Sequence, residues 1–209
     1  MELIIINDNP YGQNIYIYFD KNTKEGVIVD ASDSYETVRK TIEENQINVK
    51  AILLTHGHFD HILCVDKIRE LTKAPVYAHE SETVILENAE FNRGVLRGLD
   101  ITVKPDKFFV DGDVFTFADG IELKVIHTPG HTAGGVCYYD EKNAVVFTGD
   151  TLFRGTIGRT DMPTGDTDTL IKNVREKLFT LPDGVIVYPG HEASSTIAYE
   201  KEHNYIKNV

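Results

Sequence analysis

The stretch THGHFDH, Thr55 to His61, places three histidines and an aspartate within six positions, directly behind the apolar run AILL. The whole chain holds eight histidines. Imidazole and carboxylate are the nitrogen and oxygen donors that divalent transition metals accept. Three further donors stand in the same setting: His131 after ELKVIHTPG, Asp150 after AVVFTG and His191 after GVIVYPG. In each of these, glycine comes immediately before the donor (Gly130, Gly149, Gly190) and permits a sharp turn off a strand end. His56 and His58, two apart, face one side of an extended backbone. Asp60 and His61 fall at the entry to a helix, whose N-terminus favours a carboxylate. The set of donors is larger than one tetrahedral zinc can use. It divides into His56, His58 and His131 for one metal and Asp60, His61 and His191 for a second, with Asp150 bridging them. Alone, His131 or His191 would read as a hydrogen-bonded loop histidine and Asp150 as a turn cap. The HxHxDH cluster, by contrast, does not arise from helix or strand patterning. His79, His127 and His203 are read as structural.

Residue patterns say what must position these donors. Leu3 to Ile6, Ile15 to Phe19, Gly26 to Val29, Ala51 to Leu54 and Val76 to Ala78 have the β-branched and aromatic character of strands. Helical spacing covers Ser34 to Gln46, with Ser34 as N-cap, then Ile62 to Thr72 and Ser81 to Asn88. From Phe108 to Phe147 successive strands appear, separated by turns such as Asp111-Gly112 and Asp119-Gly120. Asp168 to Phe179 is a helix, Val185 to Tyr188 a strand and Ser194 to His203 a final helix. Strands in groups, with helices between and after them, predict an α/β fold of two mixed sheets with helices outside. The length, 209 residues, predicts a single domain over 1–209.

Composition excludes some partners. The net charge of −12 gives no counterion-release affinity for nucleic acid and opposes an anionic membrane surface. Cys64 and Cys137 sit in apolar stretches without a CxxC pair and read as buried free thiols. The N-terminal apolar run stops at Asn7, too short for a signal peptide or a span, so a cytoplasmic location is expected.

THGHFDH, the two PGH triplets at 129–131 and 189–191, and GD at 149–150 together resemble the metallo-β-lactamase superfamily, over about 14–191. The resemblance implies a four-layer αββα sandwich with metals at one edge of its sheets. Within the superfamily the chain is similar to the glyoxalase II-like (hydroxyacylglutathione hydrolase-like) branch. Many true β-lactamases place a cysteine among the second-metal ligands, and Gly57 stands where flavodiiron proteins carry a glutamate ligand. GDTLFRGTIGRTD, 149–161, is also similar to persulfide-dioxygenase-like members. Arg159 matches the basic residue that contacts glutathione in those relatives. Asp161 stands where glyoxalase II has a substrate-contacting tyrosine, which leaves the thiol partner open. The length also leaves no room for that family's C-terminal helical domain.

The expected activity is therefore hydrolysis of a small anionic thioester at a site of two divalent metals, zinc first, with iron or manganese as alternatives. The metals would share a water and lower its pKa to about 7. The hydroxide, oriented by Asp60, would attack the carbonyl. Arg159, with Asp161 beside it, or Arg154, would hold the anionic part of the substrate. Tyr11 and Asn14 lie near the expected site without an assigned role. The first alternative is a persulfide dioxygenase with one iron on His56, His131 and Asp150. A non-catalytic metal scaffold would need only four donors. A nuclease would carry a basic exosite, which the charge does not supply. Oligomeric state is open.

Overall fold

The computed structural model describes residues 1–208. Its first sheet has the order β1 (Glu2–Ile6), β2 (Ile15–Phe19), β3 (Glu25–Val29), β4 (Asn48–Leu53), β5 (Val76–His79) and β6 (Lys107–Phe109). The first three strands pair antiparallel and the rest parallel, so the sheet is mixed. The alternation along β2, buried from end to end, decides the layering. Ile15, Ile17 and Phe19 point to one face, Tyr16 and Tyr18 to the other. A strand apolar on both faces must lie between two layers.

On the outer face lie α1 (Tyr35–Asn45) and, beyond the short α2 (Phe59–Ile62), α3 (Val65–Thr72). Their Val38, Ile42, Val65 and Ile68 pack with Ile17, Ile28 and Ile52 of the sheet. After β5 the chain makes a 3-10 turn, Glu80–Glu82, and enters α4 (Thr83–Leu86). The second sheet is built from β7 (Val114–Phe117), β8 (Ile121–His127), β9 (Val136–Asp140) and β10 (Val145–Gly149). After the small ladder of β11 (Leu152–Phe153) with β12 (Thr156–Ile157), β13 (Ile186–Pro189) and β14 (Ser195–Thr196) complete it. It too is mixed, because β13 runs parallel to β10 while the other pairs are antiparallel. Between the sheets, Tyr16, Tyr18, Val27 and Leu53 meet Leu123, Val125, Tyr138 and Phe147. Leu170 of α5 (Thr167–Asn173) and Ile197 of α6 (Ile197–His203) close the far side against Val146 and Val187. The stack is αββα, as expected.

The successive strands expected over 108–147 are present and divide between the sheets: β6 ends the first and β7 begins the second. Asp111-Gly112, with Gly112 at φ +87°, is thus the passage between sheets. The helix expected from Ile62 to Thr72 is broken, because His61 O and Cys64 N bond to Ala31 at 2.7 and 2.8 Å instead of continuing the helix. Ser34 holds the N-cap position of α1, but its hydroxyl makes no capping bond. The last-but-one helix begins one residue early, capped by Asp166 on the Thr169 N–H (2.7 Å), and widens into a π turn over Val174–Leu178. Among the described residues no helix is long and apolar enough to cross a membrane.

Candidate metal centre

Four strands deliver donors to one edge of the sandwich. Past β4, Thr55 leads to His56 and His58, and α2 then supplies Asp60 and His61 from its first turn. His131 follows β8, Asp150 follows β10 directly, and His191 follows β13. Two of the glycines are needed for close approach. A Cβ at Gly190 would collide with the Asp150 carboxylate, and one at Gly149, where φ is +48°, would collide with Thr55. The crowding of backbone around the donors thus restricts both positions to glycine.

The donors meet in three overlapping groups: His56, His58 and His131; His56, His61 and Asp150; and Asp60, His61 and His191. Within each group one ligand atom per residue lies within 4.8 Å of the others. His58 Nδ1 faces His131 Nε2 at 2.9 Å, and His61 Nε2 faces His191 Nε2 at 3.3 Å. Asp150 lies between the two ends: Oδ2 is 3.5 Å from His131 Nε2, and Oδ1 is 3.3 Å from His61 Nε2. Asp60 Oδ2 sits 3.3 Å from His191 Nε2. The structure thus draws together the seven residues named from the sequence as donors, in three overlapping groups of which two have the expected membership.

Cations fit these atoms. The buried Nε2 of His56 has no hydrogen-bond partner, and ring nitrogens that face each other share at most one proton. Burial, reinforced by the neighbouring imidazoles, holds His56 well below the ordinary histidine value and His58 down at about 3. Both rings are therefore neutral ligands at neutral pH. Burial opposes charge on His61 as well, but the Asp150 and Asp30 carboxylates outweigh it and raise its pKa. Burial likewise opposes ionisation of Asp150, yet the surrounding histidines hold it well below the usual carboxylate range. Negative charge is thus fixed at the centre of the donor set.

Partners behind the rings set their orientation. His131 Nδ1 lies 2.7 Å from the Arg159 carbonyl and His61 Nδ1 2.8 Å from Asp30 Oδ2. Asp30 is itself buried and accepts from the Thr55 N–H and hydroxyl at 2.8 and 2.7 Å. The loop of His191 is tied to the first sheet by Asn14, whose amide donates to the carbonyls of Pro189 (3.1 Å) and Glu192 (2.9 Å). That gives Asn14 a structural task.

A cavity of about 420 Å³ opens over the donors. His58, Asp60 and Asp150 form part of its wall, and Tyr11, Arg93, Arg97 and Arg159 form another part. Tyr11 stands edge-on to Phe59 with ring centroids 5.0 Å apart. Arg159 thus shares the cavity wall with three of the donor residues. Asp161 does not line the cavity; its carboxylate accepts two bonds of 2.7 Å from the Arg159 guanidinium. Arg154 lies elsewhere, over the Tyr199 ring at 4.8 Å. Arg93 and Arg97 carried no signal in the sequence, because they sit in an irregular segment without periodicity. Asn92 anchors their segment: its amide donates to the Ile101 carbonyl (2.7 Å), and its own carbonyl accepts from the Phe59 N–H (2.9 Å) of α2.

His79 and His127 stack on each other with centroids 3.8 Å apart, outside the donor groups. His203 packs on Tyr199 at 4.4 Å. Cys64 and Cys137 are buried free thiols.

Comparison with known proteins gives the same picture. The family model described as "Metallo-beta-lactamase superfamily" matches residues 8–191. A relative from Haemophilus influenzae, hydroxyacylglutathione hydrolase GloC, is 34% identical over 211 residues, covering 100% of this chain and 99% of its own. The crystal structure of BLEG-1 B3 metallo-beta-lactamase superposes with a TM-score of 0.94 at 37% identity, over 100% of both chains. TTHA1623, solved in a di-iron-bound form, gives 0.86 at 31% identity, over 97% of this chain and 98% of its own. With its αββα stack and its donors at the ends of four strands, this chain belongs to the metallo-β-lactamase superfamily and is a metallo-hydrolase of that fold.

Proposed function

We propose that the chain hydrolyses a small anionic thioester of the hydroxyacylglutathione type, with two divalent metals held at the strand ends. One observation carries the proposal: two three-donor groups flank a single carboxylate, Asp150, beneath a cavity bordered by three arginines. His56, His58 and His131 would hold one metal and Asp60, His61 and His191 the other, with Asp150 shared. Zinc is the first candidate; iron and manganese accept the same donors. When bound, the metals supply Lewis acidity and an acidified water.

The remaining tasks fall to the chain. Asp60, on the cavity wall, orients the attacking water and accepts its hydrogen bond. Arg93, Arg97 and Arg159 pair with carboxylates of the thiol half of the substrate, and Asp161 holds the Arg159 guanidinium in place through its two bonds. A thiolate is a weak enough base to leave without a strong general acid, so the reaction does not require a protein nucleophile. The likeness to GloC, nearly end to end, supports this substrate class.

A second reading has its own support. His56, His131 and Asp150 face one another, with Asp150 Oδ2 at 4.0 Å from His56 Nε2 and 3.5 Å from His131 Nε2. Two histidines and a carboxylate are the donor set of a single-iron oxygenase, so persulfide oxidation is the competing activity. The test is a substrate panel on the metal-loaded protein: a hydroxyacylglutathione, an uncharged thioester, a β-lactam, and a persulfide with oxygen uptake monitored. The anionic thioester should be turned over with the highest kcat/KM. Oxygen uptake with the persulfide and no thioesterase activity would favour the second reading, and preference for the β-lactam would contradict both.

A further inference from the structure

β5 runs parallel to β4 and ends beside it, yet the strand supplies no donor to the metal groups. It leads instead into the turn Glu80–Glu82, started by His79, whose Nδ1 accepts from the Ser81 N–H (3.2 Å). This turn brings Glu82 inward, fully buried. Its Oε1 accepts from the Gly57 N–H at 2.8 Å and its Oε2 from the Gly134 N–H at 2.7 Å. Gly57 stands between His56 and His58, and Gly134 lies on the loop between β8 and β9 that carries His131. One carboxylate therefore ties together the two loops that carry all of the first metal group. The two N–H bonds favour the ionised form of Glu82, but burial outweighs them and pushes its carboxyl up to about 7. Both glycines sit where a side chain would be crowded. A Cβ at Gly134 would collide with the Glu82 backbone, and one at Gly57 would press on Leu86 Cγ at 2.9 Å.

We propose that Glu82 is a positioning residue for the metal held by His56, His58 and His131, and that its two N–H bonds set the spacing between their loops. The inference rests on the two-metal reading of the proposed function. Glu82 touches neither metal nor substrate. It acts by fixing the backbone on either side of the rings, as partners behind a metal ligand do. The second group, Asp60, His61 and His191, has its own support in Asp30 and Asn14.

Glu82→Gln is the direct test. An amide offers only one acceptor oxygen, and its NH2 would oppose the second N–H. Glu82→Asp keeps the carboxyl group but is one methylene too short to span both loops. Zinc affinities at each site are measured on the full chain by chelator competition, and cobalt substitution gives the visible spectrum of each site. In the unaltered chain two sites should fill. In Glu82→Gln one site should weaken about 10- to 100-fold with an altered cobalt spectrum, while the other changes by no more than about twofold. At saturating metal, kcat should fall while KM holds within about twofold. Glu82→Asp should move the same site in the same direction. Equal weakening of both sites, or of neither, would overturn the positioning role alone, as would failure of both variants to fold. Failure of the unaltered chain to bind two metals would overturn the two-metal reading, and this inference with it.

Discussion

At the scale of single residues, the site separates groups kept neutral from groups kept charged. His56 and His58 are held neutral by burial, while Asp150 stays ionised among histidines. The same physics acts outside the donor set. His79 packs face to face on His127, and burial, followed by the like charge His127 would carry, lowers its pKa to about 4. Asp111 and Asp113 work in the opposite direction, and Lys177 adds to the lowering. Because the folded value lies below the ordinary 6.5, the unfolded chain binds more protons between these two values. The stability contributed by neutral His79 is present above about 6.5 and is lost as pH falls towards about 4. His79→Asn keeps an acceptor for the Ser81 N–H and removes the titrating ring. Thermal unfolding of the metal-loaded protein should then show a shallower acid loss across that window than the parent. Parallel curves for the two proteins would place that proton elsewhere.

At the scale of elements, the strands were legible and the connections were not. β2 and β9 could be read because burial on both faces leaves a continuous apolar and aromatic run. The metal donors could be read because HxHxDH and the glycine-donor pairs have no counterpart in ordinary patterning. The break at Leu63–Cys64 could not, since it depends on Ala31, distant in sequence, capturing both His61 O and Cys64 N. Glu82 and the arginines of 93–97 were hidden for the same reason: their roles come from partners that only the fold brings near. The segment carrying Arg93 is fastened to α2 through the Asn92 carbonyl and the Phe59 N–H. Neither Arg93 nor Arg97 forms an ion pair among the described residues. Their guanidinium groups are therefore available to a substrate, whereas Arg159 is already engaged by Asp161. Arg93→Ala should raise KM for an anionic thioester about tenfold, equivalent to about 1.4 kcal/mol, and leave KM for an uncharged one nearly unchanged. Arg159→Ala should do the same to a smaller degree. Equal effects on the two substrates would assign these side chains to packing.

At the scale of the molecule, two sheets packed face to face form one rigid edge from which four strand ends project. Rigidity matters because a metal pair needs its donors held to within a fraction of an ångström. The layers supply it through the aromatic core between the sheets, where Tyr16 and Tyr18 lie against Phe147 with centroids 5.2 and 5.4 Å away. Tyr16 carries that rigidity to the metal edge, donating its hydroxyl to the Pro189 carbonyl at 2.6 Å, two residues before His191. Whether this edge holds two metals around Asp150 is tested most directly by elemental analysis of the protein as purified, giving metal identity and moles per chain. Close to two metals per chain, zinc alone or mixed with iron or manganese, is the expected result. Close to one iron per chain, with no second metal taken up on addition of zinc, would contradict the two-metal site.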